Sequence, residues 1–257
     1  MIYILYLLVI LIIFYVLNNH INLNYENFSN TNEIPKIIVS TYYDKNKIPQ
    51  KVYDNMKEYA SNYKFKVYDD QEIALFLKKY YGKEVLNTFF TIQRGAHKAD
   101  LFRYCYLYIY GGIYMDIKTK LIKNIDDIFN KPNVNFYTVL SQHNPTIYQG
   151  IIATKPRNPI FLPLIEHVVN VKKPIKRYFE FTVDFYRKLQ KFYGNIEFYN
   201  NMYKDKYNKY NLYLFEEKCT RDAKDCEDGL DKYKLCCYVY DKNEKIIKIR
   251  YSDFPWK

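Results

Sequence analysis

Short apolar runs alternate with amphipathic stretches after residue 33. Two of these stretches have the apolar run or the period-two alternation of a strand, and two place their apolar side chains at helical spacing. In chain order they are residues 37–40 (strand), 49–61 (helix), 63–68 (strand) and 72–80 (helix). Asp69 or Asp70 stands where an N-cap is expected, and Gly82 is expected to end the second helix. This order predicts an α/β fold whose mostly parallel sheet is covered by helices.

The clearest pattern is a helix, a Gly-Gly turn and a strand between residues 95 and 119, G-A-H-K-A-D-L-F-R-Y-C-Y-L-Y-I-Y-G-G-I-Y-M-D-I-K-T. On a helix, Asp100 and Arg103 share one face. Arg103 is the only charged residue between positions 101 and 110, so we predict a mostly buried helix. Buried charges are costly unless they are paired or held by a ligand. Spacing alone therefore leaves two interpretations open, an Asp-Arg ion pair and a ligand site.

The strand after the Gly-Gly turn, residues 113–117, brings Asp116 to its carboxyl end, the edge where open α/β sheets bind ligands. Further along, the patterns predict helices at residues 126–129, 159–171 and 178–189, strands at 135–140 and 150–154, and a hairpin of 235–240 with 245–251. Residues 195–218, dense in Tyr, Asn and Lys, carry no periodicity that assigns them.

The first 17 residues contain no charged side chain. The length of this apolar stretch is at the short end of the roughly 17–25 residues that a membrane-spanning helix needs. A cleaved signal peptide would have a basic start and a small-residue cleavage site, and the first basic residue is Lys36. We therefore predict an uncleaved, single-pass N-terminal transmembrane helix at residues 1–17. Residues 18–33 are polar and form a predicted stalk, and residues 34–257 form the folded domain.

The chain has 257 residues and a net charge of +11, which favours anionic partners. Its basic residues are scattered, apart from a short patch at Lys172, Lys173, Lys176 and Arg177. Nucleic-acid binders gather basic residues in one motif or on one face, and no such motif is found, so nucleic acid is not a predicted partner.

Four of the five cysteines lie close together near the C-terminus: Cys219, Cys226, Cys236 and Cys237. This clustering predicts two disulfides of undetermined pairing, whereas the absence of a C-x-x-C pair speaks against zinc. Cys105 is expected in the core. Disulfides and an anchor together predict a lumenal or extracytoplasmic domain, and free thiols in the cytosol are the alternative.

The pattern K-A-D-L-F-R-Y…Y-G-G-I-Y-M-D at residues 98–116 resembles the glycosyltransferase family that carries a DXD sugar-binding region, the type of initiating α-1,6-mannosyltransferases and capsular-polysaccharide enzymes. Weaker agreement extends over residues 34–165, and residues 166–257 are divergent. The resemblance implies a GT-A fold, a Rossmann-like sheet with flanking helices. It also implies transfer of a hexose from a UDP- or GDP-sugar to a glycan or other hydroxyl acceptor, with retention at the anomeric carbon.

In such enzymes the residues matching Asp100 and Arg103 hold the donor sugar and its phosphate, and the residue matching Asp116 opens the DXD motif. Gly112 is counted with the donor-binding residues. The chain departs from the family where Lys118 replaces the second aspartate. Asp116 then holds a divalent metal (Mn²⁺ or Mg²⁺) alone, or Lys118 supplies the missing positive charge, or activity is weakened. We predict an active enzyme with a metal at Asp116, and catalytic roles for Asp116 and Lys118.

Three further residues are predicted on the acceptor side of the site: His143 in the loop after a strand, and Gln149 and Gly150 where relatives line the acceptor. The alternative function is a sugar- or membrane-surface-binding protein that keeps the GT-A scaffold but has weakened catalysis. The substitution at Lys118 motivates this alternative.

Overall fold

The computed structural model describes residues 33–143, 145–196, 201–206, 209–226, 229–231, 233–252 and 254. The predicted anchor at residues 1–17 and nearly all of the predicted stalk lie outside these ranges. Among the described residues, no helix combines the length and the apolarity needed to cross a membrane. The anchor therefore stays a prediction.

Ten strands of the described chain form a single sheet. They are β1 Ile37–Thr41, β2 Lys64–Tyr68, β3 Gly112–Met115, β4 Lys120–Leu121, β5 Phe136–Leu140, β6 Ile147–Thr154, β7 Met202–Tyr203, β8 Leu212–Thr220, β9 Cys236–Asp241 and β10 Glu244–Lys248. Residues 195–218, which the pattern left unassigned, contain β7 and most of β8.

Helices cover the sheet. They are α1 Gln50–Tyr59, α2 Asp70–Tyr80, α3 Gly82–Thr91, α4 Gly95–Tyr110, α5 Ile125–Ile128, α6 Phe161–Asn170 and α7 Glu180–Tyr193. Asp69 caps α2 in a capping box with Glu72, as the sequence predicts. The sequence pattern did not predict helix α3. Gly82 is a helix-ending signal, but here it has φ +75° and is also the first residue of the next helix.

The strands form one sheet in the order β2-β1-β3-β6-β5-β8-β9-β10-β4, with β7 beside β8. Strand β1 is parallel to β2 and β3, and β5 is parallel to β8, but the other pairings among the described strands are antiparallel. The prediction of a mostly parallel sheet is wrong; the α/β sheet is mixed. Short connections explain two of the antiparallel pairs. Residues 141–146 between β5 and β6, and residues 242–243 between β9 and β10, are too few for a crossover to a parallel neighbour.

The Gly111-Gly112 turn sets the angle between α4 and β3. Both residues have positive φ, +62° and +93°. A Cβ on Gly111 would lie 2.6 Å from the Pro156 nitrogen, and one on Gly112 would lie 2.6 Å from a side-chain carbon of Ile37. The chain therefore leaves the buried helix and enters the sheet between β1 and β6 only because both side chains are absent.

Two disulfides tie the last strands together. Cys219 pairs with Cys237 across β8 and β9, and Cys226 pairs with Cys236. Cys105 is free and buried in α4. The prediction of two disulfides and a core cysteine is confirmed, and the structure adds the pairing that spacing left open.

Candidate active site

An open cleft of about 570 Å³ lies where several strands end on the same edge of the sheet. Strands β1, β3, β5 and β8 run in the same direction, because β6 is antiparallel to both β3 and β5. Thr41, Asp116 and Ser141, at or just after the carboxyl ends of β1, β3 and β5, line the cleft together with Glu217 in the second half of β8. The cleft therefore occupies the position at which open α/β sheets bind ligands.

Helix α4 contributes two buried charged side chains to this cleft. Asp100 and Arg103 are 7% and 4% exposed, and Arg103 Nη2 lies 3.4 Å from Asp100 Oδ1. The same nitrogen lies 3.6 Å from Asp116 Oδ1, across the cleft floor. The two interpretations that spacing left open are thus compatible, because one guanidinium pairs with Asp100 and also faces the cleft.

Arg103 is fixed from three further sides. Its Nε donates to the Ala99 carbonyl (3.2 Å), and its Nη1 donates to the Gln149 carbonyl. The guanidinium carbon lies 4.3 Å from the centre of the Tyr114 ring. A planar group held on its edges and one face has little freedom left, so its charge stays aimed between the two aspartates.

Asp116 stands at the centre of a row of charges. Its second carboxylate oxygen lies 3.4 Å from Lys118 Nζ, and the Tyr114 hydroxyl donates to the first from 3.2 Å. Its backbone nitrogen donates to the Gly150 carbonyl (2.8 Å), which fixes the end of β3. The row therefore reads Arg103, Asp116, Lys118, with two cations flanking one carboxylate.

The two aspartates differ in their pKa. Burial raises the pKa of Asp100 to about 6, although Arg103 and His97 oppose the shift. Burial also disfavours the charge of Asp116, but Lys118 and Arg103 outweigh it and hold its pKa below the usual value. At neutral pH both carboxylates are ionised, and Asp100 is the one close to taking up a proton.

These residues do not fit a divalent metal. Asp116 is already neighboured by two cations and a phenol, and Lys118 stands where a second carboxylate ligand was expected. Within the described ranges, the one group of three metal-ligating side chains is Glu217, Cys219 and Cys237, whose cysteines form a disulfide. The donor set therefore disagrees with the expectation of a metal at Asp116.

Of the remaining predicted site residues, some line the cleft and one serves only the packing of the strands. Gly112 is not part of the cleft lining; it lets β3 pack closely on Ile37. Gln149 lines the cleft, but its side chain accepts from Tyr104 and its carbonyl holds Arg103. Gly150 also lines the cleft and anchors Asp116, and His143 lies on the cleft wall in the loop after β5.

Sequence reasoning missed several cleft residues. Tyr148 lies over Gly150, where a Cβ would come within 2.2 Å of its hydroxyl, and that buried hydroxyl has no hydrogen-bond partner among the described residues. Its electrostatic neighbours include Asp116, Glu217 and Arg250. Glu217 accepts from Ser141 Oγ at 2.5 Å. The sequence did contain a signal for Glu217. The apolar run at residues 212–215 is followed by acidic residues, just as the strand before Asp116 is.

The first half of the chain is similar to known glycosyltransferases. Residues 15–135 match the model of the family described as glycosyltransferase sugar-binding region containing DXD motif. The chain is 29% identical over 144 residues to mannosyl phosphorylinositol ceramide synthase CSH1 of Saccharomyces cerevisiae, covering 54% of this chain and 36% of that protein. It is 30% identical over 114 residues to the uncharacterized glycosyltransferase L373 of Acanthamoeba polyphaga mimivirus, covering 44% of this chain and 45% of that protein.

The yeast synthase SUR1 is similar at 27% identity over 144 residues, covering 54% of this chain and 36% of that protein. The chain thus spans less than half the length of these curated relatives. Among solved structures, the PaToxG glycosyltransferase aligns at a TM-score of 0.48 and 17% identity, over 69% of this chain and 75% of that one.

Proposed function

We propose that this chain, whose residues 15–135 belong to the glycosyltransferase family with a DXD sugar-binding region, transfers a hexose from a nucleotide-sugar donor to a hydroxyl acceptor. The observation that carries the proposal is the row of Arg103, Asp116 and Lys118 on the cleft floor. A departing nucleoside diphosphate carries negative charge that must be stabilised as the sugar bond breaks. Two preorganised cations at the carboxyl end of β3 suit this task.

Each charged residue has a proposed role in holding the donor. Arg103 offers a flat guanidinium to the diphosphate oxygens, and Lys118 adds a point charge beside it. Asp100, ionised at neutral pH, accepts hydrogen bonds from sugar hydroxyls. Asp116 keeps both cations in place through its 3.6 and 3.4 Å contacts.

Two aromatic side chains of the cleft lining are candidates to stack on the nucleobase. Tyr42 and Tyr43 follow β1, line the cleft, and have ring centres 4.7 Å apart. Aromatic rings of this kind stack on flat bases and tolerate different bases. We therefore leave the base unspecified between UDP- and GDP-sugars.

We propose that transfer runs without a divalent metal. The family's DXD motif provides two carboxylates for a metal, whereas here Lys118 replaces one of them and pairs with the other. Lys118 thereby supplies the positive charge that a metal ion would otherwise bring to the site. Retention at the anomeric carbon follows the family resemblance, and proton NMR of the first-formed product tests it.

The acceptor is proposed from the relatives' names. Two of them are named mannosyl phosphorylinositol ceramide synthases, so mannose and a hydroxyl on an anionic lipid headgroup are the first sugar and acceptor to test. The acceptor side of the cleft, with His143, Tyr148 and Glu217, is rich in polar groups that suit hydroxyls.

We further propose the domain arrangement predicted from the sequence: an anchor at residues 1–17, a stalk at 18–33 and a catalytic domain at 34–257 outside the cytoplasm. The two disulfides of the catalytic domain support an oxidising compartment.

The deciding experiment measures donor hydrolysis and transfer with UDP- and GDP-sugars, in the presence of Mn²⁺ and in the presence of EDTA. We expect turnover in both conditions and a loss of about 10²-fold in Lys118→Ala. Lys123→Ala is the matched control, because Lys123 follows β4, a few residues after Lys118, and is absent from the cleft lining. Absence of binding and turnover with every donor would refute the proposal. Strict dependence on Mn²⁺ would refute only the metal-free mechanism.

The second candidate is a sugar- or membrane-surface-binding protein with weakened catalysis, favoured by the substitution at Lys118. It predicts donor or glycan binding by calorimetry with no turnover in any condition. Turnover that Lys118→Ala abolishes would exclude it.

A further inference from the structure

A basic-aromatic segment, residues 171–179 (V-K-K-P-I-K-R-Y-F), joins α6 to α7 beside the cleft. It contains four cations and no Asp or Glu. Lys172, Lys176 and Arg177 are exposed, and none of them forms an ion pair with a described residue. Lys173 differs, since its Nζ donates to carbonyls at the end of α6, including that of Val169 at 2.9 Å, and so holds the segment in place.

Two large aromatic side chains end the segment. Tyr178 and Phe179 are 57% and 52% exposed, and both belong to the cleft wall. Exposing adjacent aromatic rings to water is unfavourable unless a partner covers them. Rings with an apolar body at the boundary between water and lipid are typical of membrane-surface contacts.

The segment is coupled to the site by α4. His97 Nε2 lies 3.0 Å from the Tyr178 carbonyl oxygen, and the Arg94 guanidinium lies 5.8 Å from the Tyr178 ring centre. His97 is buried one turn before Asp100. A surface bound at residues 171–179 is therefore held at the cleft rim.

We propose that residues 171–179 bind an anionic membrane surface, with the cations on lipid headgroups and the two aromatic rings at the headgroup level. The net charge of +11 adds long-range attraction to such a surface. An anionic protein partner would match the cations equally well, but the two adjacent exposed rings favour lipid. Membrane binding does not depend on sugar transfer. A membrane bound at the cleft rim would also bring lipid headgroups close to the cleft as acceptors, and only this consequence rests on the proposed function.

The test uses the full chain reconstituted in vesicles of phosphatidylcholine alone or with about 30% phosphatidylserine, so that any anchoring by the apolar N-terminal residues is the same in both. An amine-reactive reagent labels exposed lysines, and mass spectrometry reads the labelling of Lys172 and Lys176 relative to Lys57. Lys57 is exposed on α1 and serves as the internal reference.

We expect labelling of Lys172 and Lys176 to fall at least about threefold on the anionic vesicles, because each cation near an anionic leaflet contributes roughly fivefold in affinity. Raising the salt from about 0.1 M to about 0.5 M should restore the labelling, since screening shortens the range of the attraction. Equal labelling on both kinds of vesicle would overturn the proposal.

A double variant keeps both reporter lysines. Arg177→Gln with Phe179→Ser should lose most of the protection. Lys64→Gln with Leu75→Ser is the matched control, because it also removes one exposed cation and one exposed apolar side chain, and it should keep the protection. Loss of protection in the control as well would contradict the assignment to residues 171–179. No donor is present in this assay, so its result is independent of whether the chain transfers a sugar.

Discussion

Arg103 is the residue on which the charges of the cleft converge. It contacts Asp100 and Asp116, donates to two backbone carbonyls and covers the Tyr114 ring. A lysine at this position keeps one positive charge but offers a single flexible ammonium. The geometry of the guanidinium, more than its charge, therefore defines the site.

We expect Arg103→Lys to lower kcat/KM for the donor by about 10²- to 10³-fold, the cost of removing one preorganised group that faces developing charge. Arg187→Lys, on the exposed face of α7, is the control and should behave as wild type. Circular dichroism spectra verify that both variants are folded. Unchanged kinetics in Arg103→Lys would show that positive charge alone suffices.

Asp100 gives a pH dependence that stability measurements detect. Its pKa is about 6 in the folded chain, against 3.8 for the free side chain, so the folded state binds the proton more tightly. This group's contribution to stability is present below pH 4 and is lost as pH rises through 6. The wild type should lose about 2 kcal/mol relative to Asp100→Asn between pH 4 and 7.

Urea unfolding of both proteins at several pH values measures this difference, and using a difference cancels the titration of groups the two chains share, such as Asp126. A parallel pH profile for the two proteins would contradict the assignment. At pH 7 the variant should also transfer sugar more slowly, because an amide binds sugar hydroxyls less strongly than a carboxylate.

Tyr148 carries a hydroxyl without a partner among the described residues, and burial raises its pKa, so it stays a protonated donor at neutral pH. We expect Tyr148→Phe to leave folding intact and to lower the transfer rate about tenfold if the hydroxyl donates to substrate. Tyr186→Phe, buried on α7 outside the cleft lining, is the matched control. Equal kinetics in wild type and Tyr148→Phe would restrict Tyr148 to packing.

At the scale of elements, the α4–turn–β3 unit sets the site geometry. Eleven residues of α4 are buried, so the helix cannot rotate to adjust its charges. The position of Asp116 relative to Arg103 then depends on the two glycines between α4 and β3. Their positive φ angles and close backbone neighbours leave room for no other side chain.

Comparing Gly111→Ala with Gly82→Ala separates the cost of a positive φ angle from the cost of steric overlap. Both glycines have positive φ, but a Cβ on Gly82 meets nothing within 4 Å, whereas one on Gly111 meets backbone atoms at 2.6–2.8 Å. We expect Gly82→Ala to cost about 1 kcal/mol of unfolding free energy and Gly111→Ala about 3 kcal/mol or more. Chemical denaturation measures both. Equal losses of unfolding free energy in the two variants would mean that the positive φ angle alone causes the destabilisation.

At the scale of the whole molecule, the C-terminal strands complete the cleft that the first half of the chain begins. Strand β8 adds Glu217, and the Cys219–Cys237 disulfide joins β8 to β9 at the cleft wall. The Cys226–Cys236 disulfide closes a neighbouring loop and is absent from the cleft lining. The two crosslinks thus offer a natural comparison.

Replacing either cysteine pair by serines should lower the unfolding free energy by about 3 kcal/mol, since both disulfides close loops of similar length. Only the Cys219→Ser and Cys237→Ser pair should also lower turnover measurably at temperatures where both variants are folded. Thermal unfolding and donor turnover check the two effects. Equal loss of turnover in both variants would assign the effect to stability.

The sequence by itself determined the local elements and the key helix. The apolar runs and periods located β1, β2, β5, α1, α2, α4, α6 and α7 within a few residues, because the residues that these elements bury are mostly apolar and are spaced by the local backbone geometry. The same local logic located the capping residue Asp69 and the hairpin of β9 and β10. It also placed Asp100 and Arg103 on one face of α4.

Only the tertiary structure decided which groups meet. Sheet order, the mixed strand directions, the disulfide pairing and the neighbours of Asp116 depend on contacts between residues far apart in the chain. Glu217 and Tyr148 reach the cleft through strands that no local pattern orients. Side-chain periodicity records burial, whereas an active site is defined by distances that only the folded chain sets.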